Sequence, residues 1–251
     1  ERIDTLMRGL KEVSDNIAHD LKTPLTRLRN RCEEALRVAK SESDYRAALE
    51  ATIEESESLI RTFNALLMIA RAESGQAREG MVELDAAEIV RGVAELYEPL
   101  AEEKGLALKV DAPASVLVRG HRELLSQALA NLLDNAIKYA HRPAQAAQDR
   151  PQEILLAARE DKEGAILTVA DRGPGIPEGD RGRVIERFVR LEQSRSEPGS
   201  GLGLSLAAAV ARLHDGRLTL EDNHPGLRVM LALPRARAAS HPDFASGRKS
   251  R

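Results

Sequence analysis

Four short segments of this chain carry side chains whose types and spacing suit phosphoryl chemistry. The first is Ala18-His19-Asp20-Leu21-Lys22-Thr23-Pro24-Leu25. On a helix, His19 lies about 160° around from the apolar Leu21 and so faces away from a helical core. A solvent-facing imidazole that is neutral near pH 7 is a competent nucleophile toward phosphorus, and Asp20 beside it can hold the other ring nitrogen and accept its proton. Pro24 removes one backbone hydrogen bond and its ring meets the carbonyl of Asp20, so a bend is expected beside the nucleophile. Thr23 lies one turn along and about 40° around, on the same exposed face, where a hydroxyl can hold an attacking water.

The second segment is Asn131-Leu132-Leu133-Asp134-Asn135-Ala136-Ile137-Lys138-Tyr139. Its two Asn residues are one turn apart on one helix face, and their amide oxygens suit Mg²⁺, which keeps waters and phosphate oxygens as its other ligands. Lys138 can reach a phosphate as a point charge. The third, Asp171-Arg172-Gly173-Pro174-Gly175, follows a predicted strand. It puts a carboxylate at the strand end, where a buried acceptor can read an adenine amino group, and Gly173 and Gly175 let a ligand approach the backbone. The fourth, Gly199-Ser200-Gly201-Leu202-Gly203, opens a helix whose unpaired N–H groups and positive dipole end favour a polyphosphate. Taken singly, each has an ordinary structural alternative: an exposed helix His, surface Asn residues, a turn or a cap.

Two kinds of element must position these groups. Ile17, Leu21, Leu25, Leu28, Cys32 and Ala35 recur at spacings of four and three, which predicts a bundle-type helix from about residue 3 to 39. Residues 41–44 interrupt it with cap-forming side chains. A second helix carries Leu49, Ile53, Ser56, Ile60, Phe63, Leu67 and Ala70 and fades near Gly75. One such hairpin leaves a wide apolar stripe uncovered, so two chains are expected to pair into a four-helix bundle. Beyond Gly80 the texture is mixed. Strands are expected at 81–84, 106–110, 116–118, 154–158 and 165–170, with helices from Asp85 to near Gly105, from about Arg122 to Ala140, and from Leu202 to Leu213. Two strands close the chain. Residues 141–151 read as a loop, and 172–200, rich in Gly, Pro and charge, as a functional lid.

Composition narrows the class. Among 251 residues, 42% are hydrophobic and 31% charged, which suits a folded protein, while only 2% are aromatic, so Leu, Ile, Val and Ala must build helix-rich cores. A net charge of −3 gives no reason to expect nucleic acid as a partner. The single Cys32 excludes an intramolecular disulfide framework. No apolar run approaches the roughly 18 residues that span a bilayer. The chain opens at Glu1, without Met and inside a predicted helix, and is expected to be the interior of a longer protein.

The four segments, in this order, resemble the phosphoacceptor, N, G1 and G2 boxes of bacterial sensor histidine kinases, over about residues 3–234. Arg187-Phe188-Val189-Arg190 resembles the F box between them, with Val189 where the family often has an aromatic. The resemblance implies a helical hairpin, residues 1–75, that dimerises and carries the phosphoacceptor. It implies next an α/β sandwich ATP-binding domain, residues 80–234, of the type shared with gyrase-type ATPases; beyond it, residues 235–251 carry five basic and one acidic side chain without periodicity and are expected to be a disordered tail. It implies His19 as phosphoacceptor, Asp20 as its acid–base partner and Thr23 as the residue positioning water for phosphatase action. It further implies Mg²⁺ at Asn135 with Asn131 nearby; Lys138, Tyr139 and Arg190 at the nucleotide; Asp171 at adenine; and Gly173, Gly175, Gly199, Gly201, Leu202 and Gly203 around the phosphates. ATP is the implied phosphoryl donor and the receiver domain of a response regulator the acceptor. The implied parent is an inner-membrane receptor of which this is the cytoplasmic part, joined to the membrane through a preceding region. Two other readings compete: a gyrase-like ATPase switch, which uses a carboxylate base where this chain has Asn131, and a non-enzymatic dimeric signalling module.

Overall fold

The computed structural model describes residues 25–26, 28–38, 41–73, 78, 80–112, 115–140, 152–191 and 201–235. His19, Asp20, Thr23 and Gly199, the expected loop 141–151 and the tail beyond 235 lie outside the described residues. Helix α1 is seen over residues 28–38, with 25 and 26 also helical. Helix α2 spans Glu42–Glu73. Its start is a reciprocal cap: Asp44 N–H donates to Ser41 Oγ and Ser41 N–H to an Asp44 carboxylate oxygen, both at 3.1 Å. The cap-forming run expected at 41–44 therefore begins the second helix. Arg31 on α1 donates to the carbonyl of Ala51 on α2, at 3.3 Å, which joins the two helices.

The rest is a two-layer α/β unit. After β1 (Val82–Asp85) come α3 (Ala86–Glu103), β2 (Ala107–Asp111), β3 (Leu117–Gly120) and α4 (Arg122–Ala140). Then follow β4 (Glu153–Glu160), β5 (Gly164–Ala170), a 3-10 turn at Glu178–Asp180, α5 (Gly203–Leu213), β6 (Arg217–Asp222) and β7 (Leu227–Pro234). Asp85 caps α3 through Ala87 N–H and also accepts from Val116 N–H at 2.8 Å, so the capping side chain also fixes the entry to β3. Five strands pair in the order β2-β4-β5-β7-β6, with β2 and β4 parallel and the others antiparallel, while β1 and β3 form a separate ribbon. Alternation along the strands says which face is covered. Leu167, Val169, Val229, Leu231 and Leu233 are buried, whereas their neighbours Ile166, Thr168, Met230 and Ala232 are only half-buried. Helices α3, α4 and α5 cover the first face.

Helix α2 has two apolar faces. The stripe read from the sequence stays largely in solvent, with Ile53 58% and Ile60 60% exposed. A second set, Leu66, Ile69 and Ala72, is buried in one continuous core with the α/β unit, where α2 lies against α5. Glu73 ends this contact by pairing with Arg187 and Arg212.

His214, just past α5, locks this helix to the end of β3. Its Nε2 accepts the His121 N–H at 3.0 Å. A backbone N–H can only donate, so the proton sits on Nδ1, 2.7 Å from the carbonyl of Val210. Burial, aided by His121 and Arg78 and opposed by Val210 and Asp215, holds the His214 pKa below its usual value. The unfolded chain therefore binds this proton first. The stability is complete above the unfolded pKa of about 6.5 and is lost as pH falls from there through the lowered folded value. The melting temperature should fall by a few °C, about 2–4, between about pH 7.5 and pH 5. The fall should be smaller in His214→Gln. An equal fall in both proteins, measured by thermal denaturation, would assign the effect elsewhere.

Candidate active site

The side chains on α4 meet the start of α5. Asn131 and Asn135 lie on the α4 face that receives Gly203, the first residue of α5. A Cβ added to Gly203 would stand 3.0 Å from Asn135 Nδ2 and 3.7 Å from both Asn131 Cβ and its carbonyl oxygen. Glycine here lets the helix start approach the amides. Leu202, 1% exposed, caps α5 without a side-chain hydrogen bond to the first turn, and a helix start without a side-chain cap favours an anion. Asn131 Nδ2 donates to the carbonyl of Gln127, 2.8 Å away, which commits the amide nitrogen to its own helix and leaves the oxygen as the group for a cation. Neutral amide oxygens beside a helix N-terminus fit Mg²⁺ carried on a polyphosphate, because the phosphates would supply the negative charge that the amides lack.

The C-terminal end of α4 meets the loop after β5. Lys138 Nζ donates to the Tyr139 hydroxyl at 3.1 Å and lies 4.7 Å from the centre of that ring. A Cβ on Gly173 would fall 2.7 Å from the carbonyl oxygen of Tyr139. Asp171, first after β5, is 7% exposed. Its Oδ1 accepts the N–H groups of Gly173 at 2.8 Å and Leu227 at 3.3 Å, and no described residue bonds Oδ2. Burial pushes the Asp171 pKa up and the two N–H donors oppose it. An acceptor with one oxygen occupied and one left can read a ligand donor such as an exocyclic amino group.

The glycine loop is tied to the F-box-like segment. Phe188 N–H donates to the carbonyl of Gly201 at 3.1 Å. Gly201 has φ of +72°, and a Cβ there would stand 3.0 Å from the backbone of Phe188. Arg187 turns toward Glu73 on α2, while Val189 and Arg190 are half-buried next to it. The structure thus brings together Asn131, Asn135, Tyr139, Gly173, Gly201, Leu202 and Gly203, with Lys138 beside Tyr139 and Asp171 behind Gly173. Gly175 lies farther back, a Cβ there falling 2.9 Å from the Gly226 carbonyl oxygen. Sequence reasoning missed Asn223, Gly226 and Arg228, which back Asp171. Asn-His-Pro-Gly between two strands signals a turn, but nothing local says which loop it packs on.

Known proteins resemble this chain in both of its parts. Residues 10–75 match the His Kinase A (phospho-acceptor) domain, and residues 120–237 match the histidine kinase-, DNA gyrase B- and HSP90-like ATPase. The sensor protein IrlS of Burkholderia pseudomallei is 33% identical over 231 residues, covering 91% of this chain and 47% of that protein. The sensor-like histidine kinase SenX3 of Mycobacterium tuberculosis is 32% identical over 233 residues, covering 91% of this chain and 54% of its own. The chain spans about half the length of these relatives. Acinetobacter baumannii histidine kinase AdeS shares the fold, with a TM-score of 0.62 at 21% identity over 86% of this chain and 98% of that one. Two domain matches in the expected order, relatives that span both, and an ATP-binding fold with its motifs gathered at one site lead to one conclusion: the chain belongs to the sensor histidine kinases of two-component systems.

Proposed function

We propose that the chain transfers the γ-phosphoryl group of ATP to its own His19 and passes it to an aspartate of a response-regulator receiver domain. The observation that supports this best is the convergence at Gly203, where Asn131 and Asn135 face the N-terminus of α5. Such a site holds a polyphosphate and offers amide oxygens rather than a carboxylate base for water, so the terminal phosphoryl group waits for a separate nucleophile. His19 would supply that nucleophile, with Asp20 taking its proton; the Pγ–O bond to ADP breaks as the N–P bond forms. Mg²⁺, held by Asn135 with Asn131 nearby, would offset charge on the transferred group. Lys138, Tyr139 and Arg190 would contact the nucleotide, Gly199 and Gly201 would let its phosphates approach the backbone, and Asp171 would read the adenine.

Thr23, outside the described residues, would hold the water that hydrolyses the regulator's acyl phosphate. The exposed stripe of α2 would bind a second copy, which places the dimer interface in the hairpin, residues 1–75, apart from the ATP-binding unit, residues 80–234. The whole receptor would lie across the inner membrane, this part of it in the cytoplasm. One preparation tests the core of the reading. With γ-labelled ATP and Mg²⁺, the chain, a dimer by light scattering, should acquire label that acid removes and base spares, and a receiver domain should take it up. Acid-stable label, or ATP hydrolysis without label, would instead favour a hydroxyl acceptor or the ATPase switch.

A further inference from the structure

Asp171 is held from behind by the turn between β6 and β7. Its N–H donates to the carbonyl of Leu227 at 2.9 Å, and its own carbonyl accepts Asn223 Nδ2 at 2.8 Å. Its Oδ1 accepts the Leu227 N–H, as above. Three of the bonds that orient this residue therefore come from residues 223–227. The approach is close: Gly226 has φ of +111°, and a Cβ there would fall 1.9 Å from the Asp171 carbonyl oxygen. Which way the Asn223 amide points is decided by Arg228, whose Nη2 donates to Asn223 Oδ1 at 2.9 Å. A guanidinium can only donate, so the amide oxygen must face it and the amide nitrogen must face Asp171. The turn closes on itself through Asn223 N–H to the carbonyl of Gly226, 3.0 Å.

We infer that Asn223, oriented by Arg228, is a positioning residue that aims the Asp171 carboxylate and thereby sets the nucleobase preference of the site. This rests on the reading of Asp171 as the nucleobase acceptor. All the hydrogen bonds from described residues end on Oδ1 or the backbone, so the turn leaves Oδ2 for the ligand. Adenine presents an amino donor where guanine presents a carbonyl oxygen. An aimed acceptor therefore attracts the first and repels the second, and an acceptor free to swing discriminates poorly.

Nucleotide affinity of the full chain for ATP and for GTP, measured by calorimetry, tests the inference. In Asn223→Ala and Asn223→Asp, neither of which can donate to the Asp171 carbonyl, ATP should bind about ten-fold more weakly while GTP changes by less than about two-fold. The preference between the two nucleotides then shrinks by about the same ten-fold. Autophosphorylation at saturating ATP should stay within about two-fold, so the loss appears in KM rather than kcat. A merely structural role would lower the melting temperature and the bound stoichiometry and leave the ATP-to-GTP ratio of affinities unchanged, which overturns the inference. If the Asn223 variants fold poorly, Arg228→Met against Arg228→Lys decides. The first should lose about three-fold of the preference and the second, which still donates, should keep it; equal behaviour of the two overturns the inference. Asp171→Asn separates the two levels. If it leaves the preference intact, the reading of Asp171 itself fails; if it abolishes the preference while the Asn223 variants do not, only the positioning role fails.

Discussion

His19→Gln is expected to abolish autophosphorylation, leaving less than about one part in a thousand of the parent rate, while ATP affinity stays within about two-fold. Glutamine keeps a polar side chain of similar length. Its amide nitrogen is not nucleophilic, because its lone pair is delocalised into the carbonyl. The residues proposed to hold the nucleotide, by contrast, lie on elements after Gly120: Asn131 and Asn135 on α4, Asp171 after β5, and Gly203 at the start of α5. Gly203 meets Asn131 and Asn135, and Gly173 meets Tyr139, all on elements of the ATP-binding unit. The experiment pairs acid-labile incorporation of γ-label with calorimetry of ATP binding on the same preparation. Acid-labile label persisting in the variant would move the phosphoacceptor to another histidine. Loss of binding along with label would mean that the helical hairpin shapes the nucleotide site directly.

Asn135→Ala should produce the reverse pattern. ATP affinity measured with Mg²⁺ should drop about ten- to a hundred-fold, toward the value that both proteins show with a chelator present. The reason is the position of the amide between α4 and the N-terminus of α5, its Nδ2 3.0 Å from where a Cβ on Gly203 would be. An amide oxygen there can hold a cation while the helix end holds the phosphates, whereas alanine offers no donor. The truncation also removes packing against α5, so the melting temperature has to be followed alongside. A modest, metal-independent fall in affinity would report that packing alone. Unchanged affinity with Mg²⁺ would remove Asn135 from the metal site.

Much of the scaffold is legible in the sequence. Helix α4 runs over the residues that its periodicity marks, and the hairpin of β4 and β5 turns where Lys162 and Gly164 signal a turn. Small offsets occur at ends. The strand expected at 81–84 is Val82–Asp85, because Asp85 still pairs with Leu117 while its side chain already caps α3. The stripe of α2 with Ile53 and Ile60 was visible as a seven-residue rhythm and is the exposed face. The buried face with Leu66 and Ile69 escaped notice, since a helix with apolar residues on two sides gives a weak period and no hint of which side meets what.

The proposed chemistry of the site rests on residue types and spacings that the sequence shows by itself. Two amides one turn apart, a carboxylate before glycines, and a glycine-rich helix start carry their proposed roles locally, because side-chain type and helical spacing are local quantities. Partnership across the chain is not local. Gly203 lies against Asn135, and Asn223 bonds the carbonyl of Asp171 across 52 residues. Arg187 pairs with Glu73, 114 positions away. Each of these depends on how α5, the turn after β6 and the end of α2 pack on the sheet. That packing is decided by burial of the whole core, to which no single segment's pattern points, so only the tertiary structure could show which residues back Asp171.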